Sequence, residues 1–250
     1  MLNPIFASES TPISRTSFVK QQGLIIASVA AVSVTLVGLL WLVLPQLFGS
    51  WELATYDLRS RWQGAASVDE DIVIISRDEA SDEKFGMGVW DRAVFSKVIA
   101  ALGKAGARTV ALDFYMPDAS PPERGSAASD RDLVTAVVSS GRVISPIAVL
   151  PGAVEDASQP ILSETLTRIT PSFTHDVVSV LPYAGRVEGP FPALAAAAAG
   201  LGHIAAWPDA DDVYRRVPTF VGVGERAVPA LGVAMAAHFL QVPPDHIELV

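Results

Sequence analysis

The chain has 250 residues, of which 50% are hydrophobic and 18% charged, with no cysteine and a net charge of −9. This composition excludes a disordered chain, a disulfide framework, a CxxC redox pair and any thiolate metal site. The acidic balance argues against nucleic acid as a partner, because phosphate neutralisation needs clustered Lys and Arg.

The first element is residues 23–44, GLIIASVAAVSVTLVGLLWLVL, which carry no charge. At ~1.5 Å per residue such a helix spans ~33 Å, just over the ~30 Å hydrocarbon core of a bilayer. The run is longer than the apolar core of a cleavable signal peptide, and the following Pro45, Gln46, Leu47 and Phe48 contain no small-x-small cleavage site. It reads as an uncleaved transmembrane anchor; a buried core helix would show an amphipathic face, which this run lacks. Arg15 and Lys20 lie on its N-terminal side, and Glu52 and Asp57 on its C-terminal side. Basic flanks stay cytoplasmic, so residues 1–22 are expected as a cytoplasmic tail. Residues 51–250 are then an extracytoplasmic domain of a single-pass protein in the inner (plasma) membrane. Arg15 and Lys20 against Glu9 give the tail +1, which leaves −10 on the rest.

Residues 51–64 place Trp51, Leu58 and Trp62 near helical spacing and read as a juxtamembrane helix. Residues 72–75, IVII, form a β-branched run of the kind found in strands buried on both faces. A polar, Gly-containing loop follows. Asp91 is placed to cap a helix over 93–104, with Val94, Val98, Ala101 and Leu102 inward. Residues 109–116, TVALDFYM, read as a second strand, so strand, helix, strand predicts a parallel βαβ unit. A helix over 130–140 is started by Ser129 or Asp130 and ended by Gly141. A third strand covers 142–150, with Pro146 marking a bulge or an edge. A short helix at 161–169 and a weak strand at 177–181 come next, then an Ala-rich helix at 191–199. Residues 201–207 and 214–222 read as a hairpin around an Asp-rich turn, and 228–240 as an apolar helix too short to span a bilayer.

The expected fold is therefore α/β. An N-terminal transmembrane helix leads to one extracytoplasmic domain with a mainly parallel sheet flanked by helices, closed by a C-terminal hairpin plus helix. No long-period repeat or linker splits it.

Ligands of such sheets bind beyond the carboxyl ends of strands. Asp78 and Glu79 stand at one such end, and Asp113 at or near the next. Three converging carboxylates could hold a divalent metal, which would make the domain an anchored metal-dependent hydrolase. The plainer reading makes Asp78 a turn cap and Asp113 a hydrogen-bond acceptor. No nucleophile elbow or Gly-rich phosphate loop supports an enzyme, and the four histidines lack zinc-site spacing. No cofactor is indicated and the metal question stays open. In GHIAAWPDADDVYRRVP, strand alternation sends Arg215 and Arg216 to opposite faces. One arginine would pair with Asp209 or Asp211 and the other would enter the sheet crevice; a solvated hairpin tip is the plainer reading. His203 reads as a core histidine or a ligand-binding group.

These segments together resemble one family. YDLRSRW, DIVIISRDEAS, FGMGVWDR, RTVALDFYM, SDRDLVTAV, GLGHIAAWPDADDVYRRVP and PALGVAMA, in this order after an anchor, are similar to the CHASE type 2 domains. Gly86, Trp90 and Arg92 match a G-x-W-P-W-x-R pattern in which Gly88 and Val89 replace Trp-Pro. Asp209, Asp211, Arg215, Arg216 and Pro218 match D-x-D-G-x-x-R-R-x-P, with Asp212 where Gly is usual; a turn needing φ > 0 tolerates Asp. The resemblance implies an extracytoplasmic sensory domain of a bacterial signal-transduction protein, the input part of a cyclase or kinase receptor whose output domain lies on residues not present. It implies no catalysis by this chain. The ligand-binding candidates are then Asp78, Glu79, Trp90, Arg92, Asp113, His203, Asp209, Asp211, Arg215 and Arg216. The expected partners are an unidentified small molecule or physical stimulus and the membrane, and a homodimer is compatible.

Overall fold

A break in the backbone at Pro45 separates the first two helices. Helix α1 (Arg15–Val43) contains Gln22–Val43, which is long and apolar enough to cross a membrane and is exposed along its length. Proline has no N–H to continue the ladder and favours the first turn of a new helix. So α2 starts at once, over Pro45–Gln63, and ends on Gly64 at φ +71°. The juxtamembrane helix thus begins six residues earlier than its aromatic spacing suggests. The structure, a computed structural model, describes residues 15–65, 67, 69–150, 165–166, 170, 181–182, 186–223, 226–243 and 246–247. It divides into two units, Met1–Ile74 and Ile75–Val250.

Residues 72–75 do not form the expected strand. They have no ladder partner, and Ile74 is 86% exposed. β-branched residues favour strands only where a neighbouring strand and a packing face exist. Here the parallel neighbour of the next strand comes from further along the chain.

The second unit opens with α3 (Glu79–Phe85), within the stretch read as a loop. Asp78 caps it, accepting from the Ser81 backbone N–H at 2.9 Å. Helix α4 (Arg92–Lys104) has the expected cap, Asp91, which accepts from the Ala93 N–H at 2.8 Å. Its buried stripe is Arg92, Phe95 and Ile99, one position out of phase with the expected inner face. Strand β1 (Val110–Ala111) is far shorter than expected. Helix α5 (Ser126–Ser140) starts four residues before Asp130 and ends on Gly141 at φ +61°. Strand β2 (Val143–Leu150) is central. The parallel βαβ unit is thus β1–α5–β2, with Val110 opposite Val143.

Strand β3 (Arg186–Glu188) pairs antiparallel with the end of β2. After α6 (Pro192–Ala197), β4 (Gly200–His203) pairs parallel with β2, from Ile144 opposite Gly200 to Ile147 opposite His203. The sheet is therefore mixed, with two parallel pairings and one antiparallel among the described residues. Pro146 lies inside β2, in the stretch where only β4 pairs with it, so its missing N–H costs no second ladder.

The hairpin is displaced from its expected place. Residues 204–209 and 213–218 are irregular, and the hairpin is β5 (Phe220–Val223) with β6 (Arg226–Pro229), followed by α7 (Leu231–Leu240). The helix at 161–169 and strand at 177–181 fall mostly outside the described residues.

Two cores hold the unit together. One joins α4, α5 and α6 through Phe95, Ile99, Leu133, Val137 and Leu194. The other joins β2, β4 and the hairpin through Ile147, Leu201, Val221 and Val228. Fully burying side chains of this size contributes about 1.5–3 kcal/mol each. A Cβ on Gly202 would lie 2.5 Å from the Leu231 Cα, so glycine there lets α7 start directly against β4.

Candidate functional site

Beyond the carboxyl end of β1 the chain runs irregularly from Leu112 to Pro121, and a cavity of about 440 Å³ opens between this segment and the start of α4. That is where a parallel sheet presents ligands, and the volume suits a small molecule. Trp90, Phe95, Phe114 and Met116 supply the apolar part of its lining. Trp90 is buried and donates its indole N–H to the Gly86 carbonyl at 2.7 Å. Gly86 sits at φ +87°, a conformation that favours glycine.

Two guanidinium groups also line the cavity. Arg77 lies over the Trp90 ring at 4.6 Å, pairs with Asp82 and donates to the Gly88 carbonyl at 2.8 Å. Arg92 is 4% exposed. It pairs with Asp130 at 2.5 Å, donates to the Asp118 carbonyl and covers the Phe191 ring at 4.5 Å. Asp130 also accepts from the Ser120 N–H at 3.0 Å, which ties the segment after β1 to α5. A buried pair of this kind costs about 3–5 kcal/mol to break from one side. Next to it, Ser129 donates to Asp91 at 2.5 Å. That bond, followed by the Ala93 N–H, holds the Asp91 carboxyl below the usual carboxylate range. Tyr115 donates to Glu188 at 2.7 Å; burial, then that carboxylate, pushes its phenol up. The cavity therefore offers an aromatic and apolar wall with polar groups already fixed in place.

Of the ten residues singled out in the sequence, the cavity brings together Trp90 and Arg92. Arg77, Phe114, Tyr115 and Asp130 were missed. The motif around Trp90 pointed to the place, but these partners come from other elements. Asp78 is spent on capping α3, and the Ser81 hydroxyl, more than its N–H, lowers its pKa. Glu79 and Asp113 are exposed. Among the described residues, no group of three or more His, Asp or Glu is placed to hold a metal ion, so Asp78, Glu79 and Asp113 do not form the cluster that a metal-dependent hydrolase would need.

The Asp-rich turn is an ion-pair network. Arg215 reaches Asp209 at 3.2 Å and Asp211 at 2.7 Å, and Arg216 also reaches Asp209 at 3.2 Å. The two arginines share one carboxylate because residues 213–218 are not a strand, so alternation does not separate them. The Arg215 hydrogen bond holds the Asp211 carboxyl below its ordinary range. Asp212 adopts φ +59°, as its place in the turn requires. His203 is 1% exposed at the end of β4. Its Nδ1 accepts from the Ala205 N–H at 3.2 Å, while Nε2 is buried without a hydrogen-bond partner. Burial pushes its pKa down to about 4.

A family model described as the CHASE2 domain matches residues 29–249. No curated protein and no solved structure matches the chain.

Proposed function

This chain belongs to the CHASE2 family of extracellular sensory domains, and on that premise we propose that it is the anchored input domain of a bacterial signal-transduction protein. Its stimulus is a small molecule that enters the cavity beside Trp90. The observation that carries this reading is the cavity itself. It lies at the carboxyl end of β1, with an aromatic wall and guanidinium groups held in place. A ligand with an apolar body and a hydrogen-bonding edge would fit that lining. Binding would favour one arrangement of the 112–121 segment and α4 over another, and differential affinity for the two states is what a sensor requires. The large domain lies outside the cytoplasm, held by Gln22–Val43, and the signal passes to a cyclase or kinase output domain. The basic residues before the span and the acidic residues after it support this orientation.

The test is a thermal-shift screen of small metabolites on the full chain in phosphatidylcholine nanodiscs, repeated on Ala119→Trp. Ala119 is exposed and lines the cavity, so the indole narrows the cavity without replacing a buried side chain. The expected result is a compound that raises the wild-type midpoint and binds the variant at least ~10-fold more weakly, a loss of about 1.4 kcal/mol. Hits that bind both proteins equally would move the ligand site elsewhere and contradict the proposal.

A further inference from the structure

A second cavity, of about 400 Å³, lies at the opposite end of the sheet, where β1 and β2 begin. Arg108 stands just before β1 and Arg142 just before β2, and the Arg142 carbonyl accepts from the Val110 N–H at 3.0 Å. Both arginines line the cavity with His238, from the last turn of α7.

Among the described residues, the contacts of these side chains are all to neutral groups and leave hydrogen-bond donors free. Arg108 donates to the Phe239 carbonyl at 3.0 Å and lies over the Phe239 ring at 4.2 Å. Arg142 donates to the Ala107 carbonyl at 2.8 Å. A guanidinium has about five N–H donors in a planar fork, so both forks remain largely open. The His238 Nδ1 lies 2.8 Å from the Thr109 hydroxyl. When that hydroxyl donates, the Nε2 hydrogen remains available.

The contrast with the rest of the unit is informative. Arg77, Arg92, Arg186, Arg215 and Arg216 are paired with carboxylates, whereas Arg124, like Arg108 and Arg142, donates to a backbone carbonyl. Arg108 and Arg142 share one cavity with no acidic residue among the described residues of its lining, in a chain of net charge −9. Two like charges kept together without a counter-charge repel, and an anion between them removes that cost. One fork saturates a carboxylate, whereas two forks and an imidazole suit a tetrahedral oxyanion.

We propose that Arg108, Arg142 and His238 form an anion site that takes a phosphate group, either a free phosphate or the headgroup of an acidic phospholipid. The site is separate from the cavity beside Trp90 and does not rest on the sensory reading. The full chain in phosphatidylcholine nanodiscs is dialysed against radiolabelled inorganic phosphate. In a second arm, nanodiscs containing phosphatidylglycerol, without free phosphate, are scored for a higher unfolding midpoint. The expected result is saturable phosphate binding, or stabilisation by phosphatidylglycerol, that Arg142→Gln weakens about tenfold or more and Ala119→Trp leaves unchanged. The arm that responds identifies the source. Should Arg142→Gln fail to fold, competition on the wild type decides. Sulfate displacing the bound group where acetate at equal ionic strength does not would support the site, and equal displacement would overturn it. No response in either arm, or an equal response in Arg142→Gln, also overturns the proposal.

Discussion

Gly125 sits at φ +89° directly before α5, with no room for a side chain. A Cβ there would lie 2.4 Å from the Ser129 Cβ and 2.8 Å from both Asp91 carboxylate oxygens. Gly125→Ala therefore adds backbone strain and pushes apart the Asp91–Ser129 bond that joins α4 to α5. The expected loss is about 1–3 kcal/mol, measured by urea unfolding of the full chain. A loss under about 0.5 kcal/mol would show that this corner relaxes freely. His203 gives a pH dependence of known sign. Its ordinary pKa of 6.5 falls to about 4 in the fold, because burial disfavours the imidazolium. Between those values the unfolded chain binds the extra proton, so stability falls as pH drops from 6.5 towards 4. His203→Asn removes that slope, read from unfolding midpoints across the window; an unchanged slope would assign it to other groups. Local chemistry was legible at this scale. Asp91 as a cap and Asp212 at positive φ follow from their immediate neighbours. Asp130, the partner of Arg92, lies 38 residues away and no local pattern announces it.

Elements were legible where a cap, a glycine stop and a long periodic run agreed, as in α4; in α5 the Gly141 stop was legible but the start was not, because Gly125, and neither Ser129 nor Asp130, precedes its first turn. They were not legible where β-propensity stood alone. Residues 72–75 read as a buried strand, yet Ile74 is 86% exposed. A β-branched run specifies a strand only in the presence of a partner edge, and pairing is not written in the run itself. Ile74→Thr separates the two descriptions. An exposed position changes unfolding free energy by less than about 0.5 kcal/mol, whereas a buried strand position would lose well over 1 kcal/mol. The hairpin moved for a related reason. Asp209, Asp211, Arg215 and Arg216 satisfy one another at the turn, so the segments beside them need no ladder, and β5–β6 forms one turn later.

For the whole molecule, the α/β class and the apolar helix were readable from composition and periodicity alone. The mixed sheet was not, because β3 comprises only Arg186–Glu188 and is too short to show a period. Of the candidate cavity, the stretch holding Trp90 and Arg92 was visible in the sequence, and the rest of the lining is assembled only once the segment after β1 has folded over α4. All of this serves a sensor only when the second unit faces the stimulus across the membrane. The chain has no cysteine, so single cysteines report without background. Ser139 is exposed on α5, and Ser10 lies in the N-terminal tail. Cells with an intact cytoplasmic membrane, expressing Ser139→Cys or Ser10→Cys, are treated with a membrane-impermeant maleimide. The account predicts labelling of Ser139→Cys before lysis and of Ser10→Cys only after it. Labelling in the reverse order would put the domain in the cytoplasm and contradict the account.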